Sequence, residues 1–226
     1  MKELGIVIPV FNNWYYTKKI IQQLLELPES NLIVIVDNGS TDETKSLCAS
    51  NRLEVIRNDT NLGFARSCNQ GYHRAVRLGC ESVMFLNNDV KVFDDFGRWT
   101  GPIIERAKTG CIVGPTVGCL DDNLNFISEG EKIPSKGHWY LSGWCITAQV
   151  KTWKKLCLED GPFTTEFTTY FEDTDLGFRA QKQGISCELI KIPVKHFGKA
   201  TSKRLGISKL YLHAKPLFLA KWKGKI

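Results

Sequence analysis

Ser82-Val-Met-Phe-Leu-Asn-Asn-Asp89 decides the reading of this chain, because an apolar run passes straight into oxygen-bearing side chains and stops. Val83 to Leu86 are continuous rather than alternating, the pattern of a strand covered on both faces in a parallel sheet. Asn87, Asn88 and Asp89 follow at its carboxyl end, where open α/β sheets collect their ligands. A carboxylate there can hold a hard cation against a ligand's phosphates. Taken alone, the triplet reads equally well as a turn, since Asn and Asp are common turn residues.

Working outward, two further apolar runs end in the same way, and a third, half-exposed strand follows them. Leu4-Gly-Ile-Val-Ile-Pro-Val10 reads as a buried strand whose Pro9 forbids a ladder bond and marks its end. Phe11-Asn12-Asn13 is then a loop, and Asn12 or Asn13 can cap a helix whose apolar face is Ile20, Ile21, Leu24, Leu25 and Leu27, stopped by Pro28. Asn31 to Val36 is a second strand, ending in Asp37-Asn38-Gly39-Ser40-Thr41-Asp42, where Thr41 or Asp42 can cap a short helix through Cys48. Leu53 to Arg57 is a third, half-exposed strand. The loop Asn58 to Gly63 leads to a helix from Phe64 to Leu78, closed by Gly79 as a left-handed cap.

This β-α order predicts an α/β fold: a doubly wound, mostly parallel central sheet flanked by helices, with the strand ends gathered along one edge. No Gly-x-Gly-x-x-Gly follows the first strand and no Walker Gly-Lys-Ser/Thr occurs, so dinucleotide-binding and P-loop enzymes fit poorly. What remains is a nucleotide site built from Pro9, Val10, Phe11, Asp37, Asn38 and Asp89. An amide or carboxylate at 37 or 38 can accept a hydrogen bond from a base's ring N–H. The alternative for Asp37 is an Asx-turn that opens its loop.

Composition narrows the class. The 226 residues, 42% hydrophobic, suffice for one full core. No apolar run approaches the roughly 18 residues of a membrane span, and the N-terminus lacks a signal-peptide layout, so a cytoplasmic protein is expected. Eight cysteines are scattered without a CxxC pair, which suits reduced thiols rather than a cysteine metal site. The net charge of +6 fits a phosphate-bearing ligand, an anionic membrane or nucleic acid, without choosing among them.

In order and spacing, Ile6-Val-Ile-Pro-Val-Phe-Asn12, Val36-Asp-Asn-Gly-Ser-Thr-Asp42, Asn61-Leu-Gly-Phe-Ala-Arg-Ser-Cys-Asn-Gln-Gly71 and Phe85-Leu-Asn-Asn-Asp89 resemble the family 2 glycosyltransferases of GT-A fold. Asn-Leu-Gly-Phe-Ala resembles their rhamnosyltransferase-like branch, which is mixed in donor. The resemblance covers at least residues 4 to 202. It implies a single GT-A domain over 1–226, with a nucleotide-binding half (1–90), an acceptor-side and catalytic half (91–204) and a basic, partly apolar tail (205–226). It implies inverting transfer of a sugar from a nucleotide-sugar donor to a glycan or lipid-linked acceptor, a hexosyltransferase of polysaccharide biosynthesis, with no nucleic acid partner. Donor contacts fall on Pro9, Val10, Phe11, Asp37, Asn38, Gly63, Asn87 and Asn88, and a divalent metal, Mn2+ or Mg2+, on Asp89. Two departures stand out. The family's metal motif is usually Asp-x-Asp, and here its first position is Asn87; the paired acids usual after the second strand are Asp37-Asn38.

The second half supplies the acceptor side. Phe93 to Lys108 reads as a helix with Asp94 and Asp95 near its positive end. Cys111 to Pro115 is a strand, and Asp121 to Lys136 two short strands with loops. Trp139 to Ile146 resembles the family's Gly-containing strand beneath the acceptor, with Gly143 on it. Trp144 is a candidate platform for a sugar ring, or else a core tryptophan; Trp153, in a helical stretch Val150 to Leu158, reads as core. Phe171-Glu-Asp-Thr-Asp-Leu-Gly-Phe-Arg179 resembles the family's Glu-Asp-x-Asp motif at a helix start. Inverting transfer needs one base opposite the leaving diphosphate; the resemblance assigns it to Asp173 and gives Glu172 the acceptor. Asp175 can hold the helix start and pair with Arg179. The bland alternative is that these acids only complement the helix dipole.

The helix 172–183 ends at Gly184, and a last strand runs from Ile185 to Ile192. His196 then matches the family's metal- or diphosphate-binding His; imidazole suits manganese better than magnesium. Lys199, Lys203 and Arg204 can close over the phosphates or simply solvate the surface. The tail from Leu210 to Ile226 can lie on an anionic membrane or pack on the domain, the latter favoured for a segment broken by Pro216. The alternatives to a transferase are a nucleotide-sugar or glycan-binding module without catalysis, which Asn87 motivates, and a nucleotidyltransferase, for which no Gly-rich basic loop follows the first strand.

Overall fold

The computed structural model describes residues 2–93, 98–167, 170–198 and 207–226, the side chains of 207–210 apart. Its first half alternates as expected: β1 (Lys2–Val10), α1 (Trp14–Leu25), β2 (Asn31–Asp37), a 3-10 turn (Glu43–Ser46), β3 (Leu53–Arg57), α2 (Phe64–Arg77) and β4 (Cys80–Leu86). There follow β5 (Val90–Val92), α3 (Thr100–Ala107), β6 (Ile112–Gly114), β7 (Val117–Leu120), β8 (Phe126–Gly130), β9 (His138–Leu141), β10 (Cys145–Gln149), α4 (Val150–Leu156), α5 (Glu172–Lys182), β11 (Cys187–Leu189), β12 (Val194–His196) and α6 (Ile207–Trp222).

Seven strands form the central sheet in the order β11-β6-β10-β4-β1-β2-β3. β1 runs parallel to β2 and β4, β2 to β3, and β6 to β11, whereas β10 is antiparallel to both its neighbours. The continuous apolar runs are explained by burial on two faces. Val7, Val34, Val83 and Phe85 point to one core with Cys68 and Tyr72 of α2; Ile6, Ile8, Ile33, Ile35 and Met84 point to the other with Ile20 and Leu24 of α1. Gly71 lets α2 lie tight on the sheet, since a Cβ there would stand 2.2 Å from Val7 Cγ1.

Pro9 does not end β1, which continues to Val10 beside Asp37. The Val10 carbonyl bonds toward β2, so alternation turns residue 9 toward β4, and pairing with β4 already stops at Val7. Neither Asn12 nor Asn13 caps α1 as expected. Both are left-handed, and the free Trp14 N–H is accepted by Asp42 Oδ2 at 2.9 Å, whose Oδ1 caps the 3-10 turn through Thr44 N–H.

In the second half the elements are shorter than expected. The helix before β6 spans Thr100–Ala107; Asp94 and Asp95 lie outside the described residues, as do Lys199, Lys203 and Arg204. Trp139 to Ile146 is two strands, β9 in a three-stranded sheet β8-β7-β9 and β10 in the central sheet, because Ser142 to Trp144 turn between them. Only Cys187–Leu189 of the last expected strand pairs. Pro216 does not break the tail, which is one helix. The carbonyl it leaves unbonded is that of Leu212, on the outer, solvated face, while Ala214, Phe218 and Trp222 are buried against α5.

Candidate functional site

Beyond Leu86 the chain fans out at the sheet edge. Asn87 N–H donates to the Trp144 carbonyl at 2.8 Å, tying the end of β4 to the chain entering β10. Asn88 turns inward and donates from Nδ2 to Thr17 Oγ1 at 3.0 Å. It is buried, and its side chain braces α1. Asp89 faces His196, with Oδ1 3.1 Å from Nε2. His196 is brought there by the antiparallel pairing of β12 with β5 and by Phe197 N–H donating to the Asp89 carbonyl at 2.9 Å.

The same His196 Nε2 lies 3.3 Å from Asn87 Nδ2. An N–H on Nε2 suits Asp89 but then opposes the Asn87 amide; with that amide turned over, two oxygens and one imidazole nitrogen converge. Such a set fits a divalent cation that takes its remaining ligands from a diphosphate and water, manganese more readily than magnesium. Among the described residues no cluster of three His, Cys, Asp or Glu side chains stands ready for a metal, so Asn87 is needed to complete three.

The acid pair is launched by strained backbone. Tyr170 and Phe171 are left-handed in succession, at φ 73° and 68°, a conformation costing roughly 1–3 kcal/mol for each such residue. This turn sets Glu172 and Asp173 at the start of α5. Glu172 is buried, its Oε2 has no partner among the described residues, and burial together with the neighbouring Asp173 pushes its carboxyl up to about 8. Burial raises Asp173 as well, against the pull of hydrogen bonds: Oδ2 accepts Gly143 N–H at 2.9 Å and Oδ1 accepts Thr174 N–H at 2.7 Å. Of the two, Glu172 is the one pushed up far enough to hold a proton at neutral pH, while Asp173 is the better supplied with donors to a charged form.

One turn joins the two ends of the site. Gly143 N–H holds Asp173, and the next residue, Trp144, stacks on the His196 imidazole with ring centroids 5.0 Å apart and planes at 14°. Consecutive Cα atoms are only about 3.8 Å apart, so the acid pair and the Asp89–His196 pair are near neighbours. Gly143 is required here: a Cβ would meet Asp173 Cβ at 2.9 Å. Trp144 is buried, its Nε1 donates to Thr116 Oγ1 at 2.6 Å, and His196 covers one ring face. It thereby packs against the imidazole that faces Asp89. A cleft of about 420 Å3 opens beside it, lined by Thr116, Glu129, Trp144, Lys195 and His196. Glu129 also accepts from Ser142 Oγ at 2.5 Å. Sequence reading missed Glu129, Ser142 and Thr116, which carry no local signal.

The strand ends on the other side of β4 are more self-contained than expected. Asp37 is buried, pairing with Arg57 Nη1 at 2.6 Å and accepting Ser40 N–H at 2.9 Å, so the Asx-turn is the arrangement found. The Asn38 amide makes all four of its hydrogen bonds within the chain: it donates to Asn61 Oδ1 and the Gly63 carbonyl and accepts from Asn58 Nδ2 and Leu62 N–H. These bonds shape the loop that ends at Gly63, where φ is 88° and α2 begins. Val10 is likewise in the core, its carbonyl accepting Asn38 N–H at 2.7 Å, while Pro9 and Phe11 are half-buried at the edge.

Comparison with known proteins settles the kinship. The model of the family described as glycosyl transferase family 2 matches residues 5–172. The chain belongs to glycosyl transferase family 2. A family relative, the glycosyltransferase GlyG of Streptococcus pneumoniae serotype 4 (strain ATCC BAA-334 / TIGR4), is 31% identical over 133 residues, 56% of this chain and 43% of that protein. Two solved structures share the GT-A-like fold. The mannosyltransferase PcManGT from Pyrobaculum calidifontis, in complex with GDP-Man and Mn2+, superposes with a TM-score of 0.58 at 14% identity over 83% of this chain and 54% of that one. S. aureus TarS 1-349, in complex with UDP, gives 0.59 at 18% identity over 85% of this chain and 59% of its own. The chain thus spans about half the length of these proteins.

Proposed function

We propose that this family 2 chain transfers a sugar, with inversion, from a nucleotide-sugar donor to a hydroxyl of a glycan or lipid-linked acceptor. The observation that carries the reading is the Ser142–Trp144 turn, which holds Asp173 at one residue and orients His196 with the next. Asp173, the charged member of the pair, takes the proton of the acceptor hydroxyl as its oxygen attacks the anomeric carbon. The bond from that carbon to the diphosphate breaks on the opposite face, which inverts the centre. Glu172, protonated, donates a hydrogen bond that orients the acceptor. Asp89, His196 and Asn87 would hold a divalent metal, which supplies positive charge to the departing diphosphate. GDP-Man with Mn2+ in PcManGT, and UDP in TarS, support a nucleotide donor and manganese for this chain too.

Donor contacts fall on Pro9, Phe11, Gly63 and Asn87, with Asp37 and Asn38 shaping the edge behind them. A hexosyl or rhamnosyl donor, a role in polysaccharide assembly and a cytoplasmic location belong to the same reading. Among the described residues no helix is long and apolar enough to cross a membrane. Asn87 in place of the usual first acid favours a second reading, a nucleotide-sugar-binding module without catalysis. A thermal-shift panel of UDP-, GDP- and dTDP-sugars with and without manganese separates them when paired with turnover. A matched donor at a hundredfold excess over its Kd stabilises the fold by about 2.7 kcal/mol. Asp89→Ala is expected to lose the manganese-dependent part of that shift and Asn87→Asp to strengthen it; an unchanged shift in Asp89→Ala sinks the metal assignment. Donor binding with neither transfer nor donor hydrolysis favours the module.

A further inference from the structure

The family match stops at Glu172, so α6 lies beyond it, yet α6 packs on the very residues that launch the acid pair. Phe218 is fully buried and stacks on left-handed Phe171, ring centroids 4.5 Å apart and planes at 17°. Tyr211 lies 5.3 Å from the Phe171 ring and 6.1 Å from that of Tyr170, its left-handed neighbour. On the other side of the pair, fully buried Asp175 accepts Trp222 Nε1–H at 2.9 Å, meets Lys221 Nζ at 2.9 Å and is paired with Arg179 Nε at 2.8 Å. One helix therefore grips the chain immediately before Glu172 and again two residues after Asp173.

We propose that α6 is a positioning strap for the acid pair, with Phe218 and Trp222 as positioning residues that act through Phe171 and Asp175. Left-handed bulky residues persist only where their surroundings over-determine them. The described surroundings of Phe171 are largely α6 and the aromatic cluster it completes with Phe167 and Phe178. Likewise a buried carboxylate stays in place only with its donors satisfied, and two of the three donors to the Asp175 carboxylate among the described residues come from α6. If the strap loosens, the turn relaxes toward ordinary backbone and Glu172 swings from its buried position toward water, taking the start of α5 with it. The proposal rests on reading Asp173 as the base, but its structural half stands apart from turnover.

Trp222→Phe keeps an aromatic ring but removes the indole N–H together with the pyrrole part of the ring; Phe218→Leu keeps apolar volume and removes the stacked ring, so one of the two remains informative if the other fails to fold. Both are measured well below their melting temperatures, with exposed Leu217→Ala on the outer face of α6 as control. In each folded variant, kcat is expected to fall by about 10-fold while the donor KM and the affinity for a nucleotide diphosphate with manganese hold. Independently of any transfer, the Glu172 carboxyl, followed by carbon-13 NMR in labelled protein, is expected to titrate closer to the ordinary glutamate range than in the parent. Parental kcat and parental Glu172 titration in a folded variant overturn the strap, whatever the melting temperature does. A lower kcat with an unmoved Glu172 overturns it too, since the variant then acts elsewhere. If Glu172 moves but the parent itself transfers no sugar, the strap stands and the transferase reading falls.

Discussion

Glu172 is the residue whose environment makes the sharpest demand. Its carboxyl is buried beside Asp173, and its folded-state affinity for a proton is raised to about 8. Between the ordinary glutamate range and about 8 the folded chain therefore holds a proton that the unfolded chain has released, and stability falls as pH rises through that window. Glu172→Gln removes this loss. The melting temperature of the variant relative to the parent is expected to climb between about pH 5 and about pH 9; a flat difference refutes the buried, protonated glutamate. Asp173→Asn addresses the neighbouring role. Asparagine keeps the shape and an oxygen for Gly143 N–H but cannot take a proton, so turnover is expected to drop by roughly 100-fold or more with donor affinity and fold intact. A variant that transfers sugar at the parental rate makes Asp173 a helix-start residue only.

At the scale of elements, α2 lies close on the sheet behind the Asn58–Gly63 loop, which Asn38 ties to the strand edge. Gly71 is in α2 over β1, and a Cβ there would press within 2.2 Å of Val7 Cγ1, whose side chain is fully buried. Alanine gains up to about 1 kcal/mol of helix propensity over glycine. Overpacking a core position costs about 1–3 kcal/mol, and the central strand cannot yield without disturbing both cores, so the loss wins. Gly71→Ala is expected to lower the urea midpoint, at an unchanged slope, by that net energy divided by the slope. An equal or higher midpoint argues that α2 sits farther from β1.

For the whole molecule, α6 closes the aromatic cluster that the central sheet leaves open. Phe218 touches Phe167, Phe171 and Phe178 and is fully buried, so Phe218→Ala removes a ring from a packed site and is expected to cost about 3–5 kcal/mol. Calorimetry measures this, and a loss under about 1 kcal/mol means that α6 is docked far more loosely than its contacts imply. The outer face of the same helix, with Leu212 and Leu217, stays exposed, so the tail's apolar residues are divided between the domain and the surface.

Much of this was legible in the residues alone. Three apolar runs ending in polar clusters and a fourth, half-exposed strand, with Gly79 and Gly184 closing helices, determined a mostly parallel sheet whose strand ends share one edge, because burial periodicity and left-handed caps are local properties. The order of short motifs carried the family, and Glu172-Asp173 stood out at a helix start. Tertiary structure alone decided where the hydrogen bonds go. Asn38 and Asn88 look like ligands in the sequence, but buried amides must be satisfied, and their partners, Asn58 to Gly63 and Thr17, come from other elements. Trp144 reads equally as a platform or a core residue, and only the fold brings His196 onto its ring from β12. The hold of Gly143 on Asp173, and of Trp222 on Asp175, joins residues 30 and 47 positions apart, a separation at which no spacing rule applies and only the folded path of the chain makes them neighbours.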